Sequence, residues 1–317
     1  MTEKIATRQA YGEALLELGS QYNDLVVLDA DLSCSTGTGK FAKQYPERFF
    51  NMGIAEQNMI STAAGFAAVG KIPFASSFAM FATGRAWEQV RNSVAHNNFN
   101  VKIAATHAGI SLGEDGASHQ IIEDLAIMSV IPKMSVFVPA DATETKAMMK
   151  ALMQYEGPAY IRLGRPAVPV LFEANTFNFE IGKAQIIKEG HDITIIAIGF
   201  MVHKALEAAE ELAKQNIKAE IINLSTIKPL DEKTILQSVQ KTGCVMVAEE
   251  HNKIAGVNQM IAGCLAQKTE KFYPLEVVAI EDRFGQSGTL EALIQEYGLT
   301  TAQIIEKALK AYQRKLK

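Results

Sequence analysis

Residues 53–81 read GIAEQNMISTAAGFAAVGKIPFASSFAMF. Small and apolar residues crowd the stretch up to Val69, which implies a helix buried on most of its faces. Gly70-Lys71 interrupts it, and Ile72 to Ser77 follows as a strand-length apolar run. A buried helix feeding directly into a short buried strand is the repeating unit of parallel α/β architecture. Outward from this unit the pattern repeats. Strands are predicted near 25–29 (LVVLD), 49–52, 101–106 (VKIAAT), 134–138 (MSVFV) and 158–162, with helices between them. Asp141-Ala142-Thr143-Glu144 marks one helix start, an acidic cap followed three residues later by Glu. Between Arg165 and Gly182 periodicity fails around Pro166 and Pro169, so 171–182 reads as a linker. A second series follows, with strands at 185–188, 192–198 (DITIIAI), 218–223, 243–248 and 275–280. Helices are expected at 201–215, 289–297 and 300–314. The expectation is two α/β domains, 1–170 and 183–317, each a doubly wound, mostly parallel sheet flanked by helices.

Composition agrees. The 317 residues are 48% hydrophobic and 21% charged with net charge −4, which suits about two globular domains and excludes a disordered chain. The longest charge-free stretches, 57–70 and 254–267, fall short of the roughly 18 apolar residues a spanning helix needs, so no membrane association is expected. No apolar signal segment follows Met1, and Cys34, Cys244 and Cys264 are odd in number without a Cys-x-x-Cys spacing. The chain therefore reads as cytoplasmic. The acidic balance argues against nucleic acid as a partner. Gly65 to Lys71 imitates a P-loop, but Ile72 stands where Ser or Thr must hold magnesium, and the order is helix into strand rather than the reverse.

Glu56 is the only charged side chain between Arg48 and Lys71. A buried carboxylate must be paired, hydrogen-bonded or kept protonated. Two readings stand: a helix-start acid favoured by the macrodipole, or an acid that shares a proton with a ligand nitrogen. Phe74, Phe78 and Phe81 cluster at the carboxyl end of a strand, where open α/β sheets place ligands, although such clusters also serve as core. Thr106 to His119, THAGISLGEDGASH, gathers two histidines, two carboxylates and three glycines into one loop, before a helix expected at about His119. Its histidine spacing matches no helical metal pair, whereas carboxylate and neutral imidazole suit polyol hydroxyls. Arg8 and Arg165 are each able to grip a phosphate or to form a surface ion pair.

Taken together, GIAEQNM around Glu56, SFAMF with Phe78 and Phe81, THAGISLGEDGASHQ, DADLSCS at 29–35 and LGRP at 163–166 resemble transketolases, in which they occur in this order. The resemblance covers the pyrimidine-binding and C-terminal domains. No Gly-Asp-Gly occurs, the motif of the domain that binds the cofactor's diphosphate and magnesium, so the chain is similar to the C-terminal subunit of a split transketolase. That resemblance implies thiamine diphosphate as cofactor, with Mg2+ ligands supplied by an N-terminal subunit rather than by this chain. It further implies an α2β2 assembly with self-association, and two-carbon ketol transfer between sugar phosphates, as in the pentose phosphate pathway. Glu56 matches the acid that hydrogen-bonds the aminopyrimidine, favouring the tautomer that removes the thiazolium C2 proton. Phe78 and Phe81 match the ring platform, and Asp31 a cofactor-proximal position. Asp115 matches the reader of the substrate C2 hydroxyl, and His119 lies near the reacting carbons. Arg8, Ser35, His107 and Arg165 match the group that grips the sugar phosphate.

Relatives divide on the loop. Deoxyxylulose-phosphate synthases usually place arginine where His107 stands, and β subunits of 2-oxo acid dehydrogenases lack the GEDGxxH pattern. A β-type subunit acting on pyruvate or another 2-oxo acid is the alternative enzyme, and a regulatory or scaffolding paralogue the non-enzyme alternative. Ala82-Thr83-Gly84-Arg85 departs from the family by omitting a third aromatic after Phe81, and Glu249 to Asn252 has no assigned role beyond packing.

Overall fold

The computed structural model describes residues 3–316. A seven-stranded sheet runs in the order Thr226–Lys228, Ser135–Phe137, Ala159–Arg162, Lys102–Thr106, Ile72–Phe78, Leu25–Asp29, Phe49–Asn51. Every pairing in it is parallel except that of Thr226–Lys228 with Ser135–Phe137. A five-stranded sheet runs Leu275–Ile280, Val245–Asn252, Ile193–Ala197, Ala219–Asn223, Gln185–Lys188, with only the last strand antiparallel. Helices cover both sheets, so central strands such as Leu25–Asp29 and Ile193–Ala197 are buried on both faces. That burial is why they read as continuous apolar runs rather than alternating ones. No helix among the described residues is long and apolar enough to cross a membrane.

Chain order places the functional crevice. From Leu25–Asp29 the chain moves outward to Phe49–Asn51, then returns to Ile72–Phe78 on the other side. Strand order therefore reverses between Leu25–Asp29 and Ile72–Phe78, and ligands of open sheets bind at the carboxyl ends of such a pair. Asp31 and Phe78 stand at those two ends.

Local chemistry sets the helix starts. Asp141 accepts from the Glu144 amide, Asp231 from that of Thr234, Thr289 from that of Ala292 and Thr300 from that of Gln303. The helix expected at His119 instead begins at Asp124. Gly109 pairs with Ile121 in an isolated antiparallel bridge, and the Gln120 side chain turns inward onto backbone carbonyls, so residues 119–123 cannot coil. After Phe78 the chain winds through wide π-type turns at Met80–Arg85 and Val90–Ala95, a geometry that recurs at functional sites.

The two sheets share their interior. One apolar cluster joins Val26, Ala75 and Ile103 with Ile196, Ile222 and Val247. Ile110 within the Gly-rich loop and Ile122 just after it lie in the cluster around Ile195, Val202 and Leu293. Thr226–Lys228 follows a strand of the second sheet yet extends the first, and Lys228 Nζ donates to the carbonyls of Ser129 and Ile131 at 2.8 and 2.6 Å.

Candidate active site

Four rings from two loops converge at the sheet reversal. Phe78 ends its strand and Phe81 sits just beyond it, their rings near parallel at 6.1 Å between centroids. The His107 imidazole stacks on Phe78 at 3.9 Å, and His119 meets Phe81 edge-on at 5.2 Å. Phe74, earlier on the same strand, belongs to the core beside Tyr11, 6.4 Å away. His107 sits at a left-handed φ of 61° between a strand end and Gly109, and its Nδ1 shares a hydrogen bond with Thr106 Oγ1 at 2.7 Å. Burial pushes the His107 pKa down to about 3, reinforced by the positive charges of Arg8 and Arg165 and by His119. A neutral imidazole results, able to accept a hydrogen bond from a hydroxyl.

Glu56 opens the helix Glu56–Ala68 and is 2% exposed, so it is both a helix-start acid and a buried one. It is not alone. Arg85 Nη1 donates to Glu56 Oε2 at 2.9 Å, and the same guanidinium lies 4.7 Å above the Phe81 ring. Arg85 closes the Ala82–Arg85 stretch, in which no third aromatic follows Phe81. Sequence reasoning does not find this partnership, because 29 residues and a wide turn separate Arg85 from Glu56.

Arg8 and Arg165 line one 310 Å³ cavity together with Ser111, Gly113 and Leu290. Burial, then the neighbouring Arg165, lowers the Arg8 pKa, since two like charges face the same space. Ser111 is itself buried. Arg165 donates to the Leu112 carbonyl, and Arg8 to the Ser35 carbonyl at 2.5 Å, so Ser35 enters through its backbone. The loop that carries Ser35 is tied down by buried Asp29, which accepts from the Leu32 amide at 2.6 Å and from the hydroxyls of Thr36 and Thr38.

Two expected residues stand apart. Asp31 adopts a left-handed φ of 65° after its strand and accepts from Asn51 Nδ2 at 2.8 Å. Asp115 is exposed at the loop tip, while its neighbour Glu114 reaches the cavity lining. Among the described residues no group of three His, Cys, Asp or Glu side chains is placed to hold a metal ion.

Both domains are matched in known proteins. Residues 3–170 match the family described as transketolase, pyrimidine binding domain, and residues 182–304 match transketolase, C-terminal domain. The chain belongs to the transketolase family. A Methanocaldococcus jannaschii protein assigned as the C-terminal section of a transketolase is 48% identical over 308 residues, covering 97% of this chain and 96% of that one. The 6-deoxy-6-sulfo-D-fructose transketolase subunit of Clostridium sp. is 41% identical, over 97% of this chain and 95% of its own length. An apulose-4-phosphate transketolase subunit of Phocaeicola vulgatus is 35% identical, over 96% and 97%. A split-gene transketolase solved as an inactive β4 tetramer superposes with a TM-score of 0.90 at 50% identity, covering 99% of this chain and 100% of that one. Transketolase from Campylobacter jejuni superposes at 0.82 with 25% identity, and there this transketolase-family chain spans 47% of the other protein.

Proposed function

We propose that this chain is the C-terminal subunit of a split, thiamine-diphosphate-dependent transketolase, transferring a two-carbon ketol unit from a ketose phosphate to an aldose phosphate. The observation that carries the reading is the pair Arg8 and Arg165 facing one cavity beside the ring cluster of Phe78, Phe81, His107 and His119. The repulsion that Arg165 exerts on Arg8 is relieved by an anion, and a sugar phosphate brings one at the far end of its chain. Relatives named for a sulfo sugar and for a sugar phosphate fit the same requirement for an anionic end.

The residues fit the cofactor the family implies. Near-parallel Phe78 and Phe81 suit an aminopyrimidine face, and buried Glu56 suits its ring nitrogen. When bound, thiamine diphosphate supplies the carbon nucleophile that carries the two-carbon unit. Glu56 would offer its carboxyl group to that ring nitrogen in place of its bond to Arg85. His107, neutral through burial, accepts a hydrogen bond from a substrate hydroxyl, and His119 stands beside it to orient the reacting end. Asp31 belongs on the cofactor side and Asp115 at the C2 hydroxyl. Arg8, Arg165 and Ser35 anchor the anionic end, so remote binding energy positions the reacting carbons. Diphosphate and Mg2+ ligands come from an N-terminal subunit, in an α2β2 complex.

The test is reconstitution with that partner, thiamine diphosphate and magnesium, supplying a ketose phosphate or pyruvate as donor. Ketol transfer that requires the cofactor and vanishes in a folded Glu56→Ala variant is expected. Preference for pyruvate, or full turnover by Glu56→Ala, refutes the reading.

A further inference from the structure

Glu250 is a buried carboxylate of the second domain that takes no part in the chemistry described above. It lies at the carboxyl end of strand Val245–Asn252 and reaches into the loop of the first domain, where Ser111 N donates to its Oε1 at 2.6 Å. The fit under the loop is close. A Cβ at Gly109, where φ is 78°, would collide with the Glu250 carboxyl group, so only glycine passes over it. The strand that carries Glu250 is itself held to the first domain. Arg162 Nη2 donates to the Glu250 carbonyl at 2.9 Å while its Nε binds Asp124 at 2.7 Å, and Asn252 N donates to the Ile122 carbonyl at 2.7 Å.

The far end of the loop meets a second segment of the same domain. Gln120 Nε2 donates to the Gln286 carbonyl at 3.0 Å, and a Cβ at Gly285 would collide with Gln120 Oε1. Gly288, Thr289 and Leu290 then form one wall of the cavity that holds Arg8 and Arg165. His107, strained at positive φ, and Ser111, which lines that cavity, lie on the same loop as these two anchors.

We infer that the second domain is part of the active site, and that Glu250 is a positioning residue that holds the His107–Ser111 backbone in the conformation that receives the anionic end of the substrate. The inference rests on the sugar-phosphate reading for what the loop receives, and on the geometry alone for what holds the loop. Glu250 works through the Ser111 amide and the space beneath Gly109, not by touching substrate.

The experiment uses the full chain reconstituted with its N-terminal partner, thiamine diphosphate and magnesium, and two readouts: calorimetric binding of ribose 5-phosphate, and hydrogen exchange at residues 109–111. Glu250→Ala should weaken binding by about tenfold or more and speed exchange at these amides while distant strands stay protected. Glu250→Gln, which keeps an acceptor oxygen for Ser111, should recover most of both. Thr194→Val is the control for general loss of stability. It removes a buried hydroxyl bonded to Ser238 and Thr242 at 2.6 and 2.7 Å, at the other end of the sheet, and should leave binding as it was. Unchanged binding in a folded Glu250→Ala variant, or an equal loss in Thr194→Val, overturns the inference. If the complex containing the unaltered chain binds no sugar phosphate, the substrate reading falls, and exchange alone decides the positioning role: faster exchange confined to 109–111 supports it, and unchanged exchange overturns it.

Discussion

Replacing Arg85 with alanine isolates the contact that the lone-carboxylate reading of Glu56 does not contain. Glu56 is 2% exposed and would be left without its cation, whereas the Arg85 side chain is 48% exposed. Stranding a fully buried charge costs about 3–5 kcal/mol. Water that reaches a half-exposed guanidinium already screens this pair, so a loss of about 1–2 kcal/mol is expected from it. The guanidinium lies 4.7 Å over Phe81, and forfeiting that cation–π contact adds about 0.5–1 kcal/mol. Arg85→Ala should therefore lower stability by about 1.5–3 kcal/mol. Glu56→Gln removes the charge that needs a partner and leaves Arg85 solvated, so the double variant should be more stable than additivity allows, by about 1 kcal/mol. Urea unfolding at neutral pH reads both quantities through Trp87, the only tryptophan, whose indole donates to the Ile127 carbonyl at 2.9 Å two residues from Arg85. A double-mutant coupling of zero, or an Arg85→Ala variant as stable as the unaltered chain, would show that solvent rather than Arg85 satisfies Glu56.

Two further outcomes follow from the site's electrostatics. His107 has a folded pKa of about 3 against 6.5 for the free side chain, so the unfolded chain binds the extra proton between those values. Its contribution is complete above pH 6.5 and is lost as pH falls toward 3; His107→Gln should flatten the acid side of the stability profile in that window, and an unchanged slope there contradicts the buried neutral imidazole. Arg165→Ala removes one charge-assisted contact of about 1.5–3 kcal/mol, so KM for a phosphorylated acceptor should rise roughly 10- to 150-fold with kcat little changed. An unphosphorylated acceptor should be indifferent, and an equal loss with both would remove Arg165 from the anion site.

The α/β series is legible because a strand buried on both faces has no polar face to show, so LVVLD and DITIIAI announce themselves as short apolar runs. Helix caps such as Asp141 are equally local: the acceptor and its amide lie three residues apart. The helix after the Gly-rich loop starts at Asp124 rather than His119 because a bridge between Gly109 and Ile121 outranks the propensity of the intervening residues. Strand Thr226–Lys228 is invisible in the sequence for a similar reason. Three residues of ordinary composition become a strand only because Ser135–Phe137 presents an open edge to them.

The sequence by itself determined the family, the two α/β units, and the residue types able to stack a ring, carry a proton and grip an anion, because those signals repeat at short spacing or sit in contiguous motifs. Only the tertiary structure decided who partners whom. It set Arg85 on Glu56, turned Arg8 and Arg165 onto one cavity, and drove Glu250 from the second domain beneath Gly109. The contacts concerned span 29 positions between Glu56 and Arg85, 157 between Thr7 and Gly164 beside the two arginines, and 139 between Ser111 and Glu250. Burial makes such contacts obligatory, since each charge taken from water must find a partner, but the chain's path through space alone selects which partner it finds.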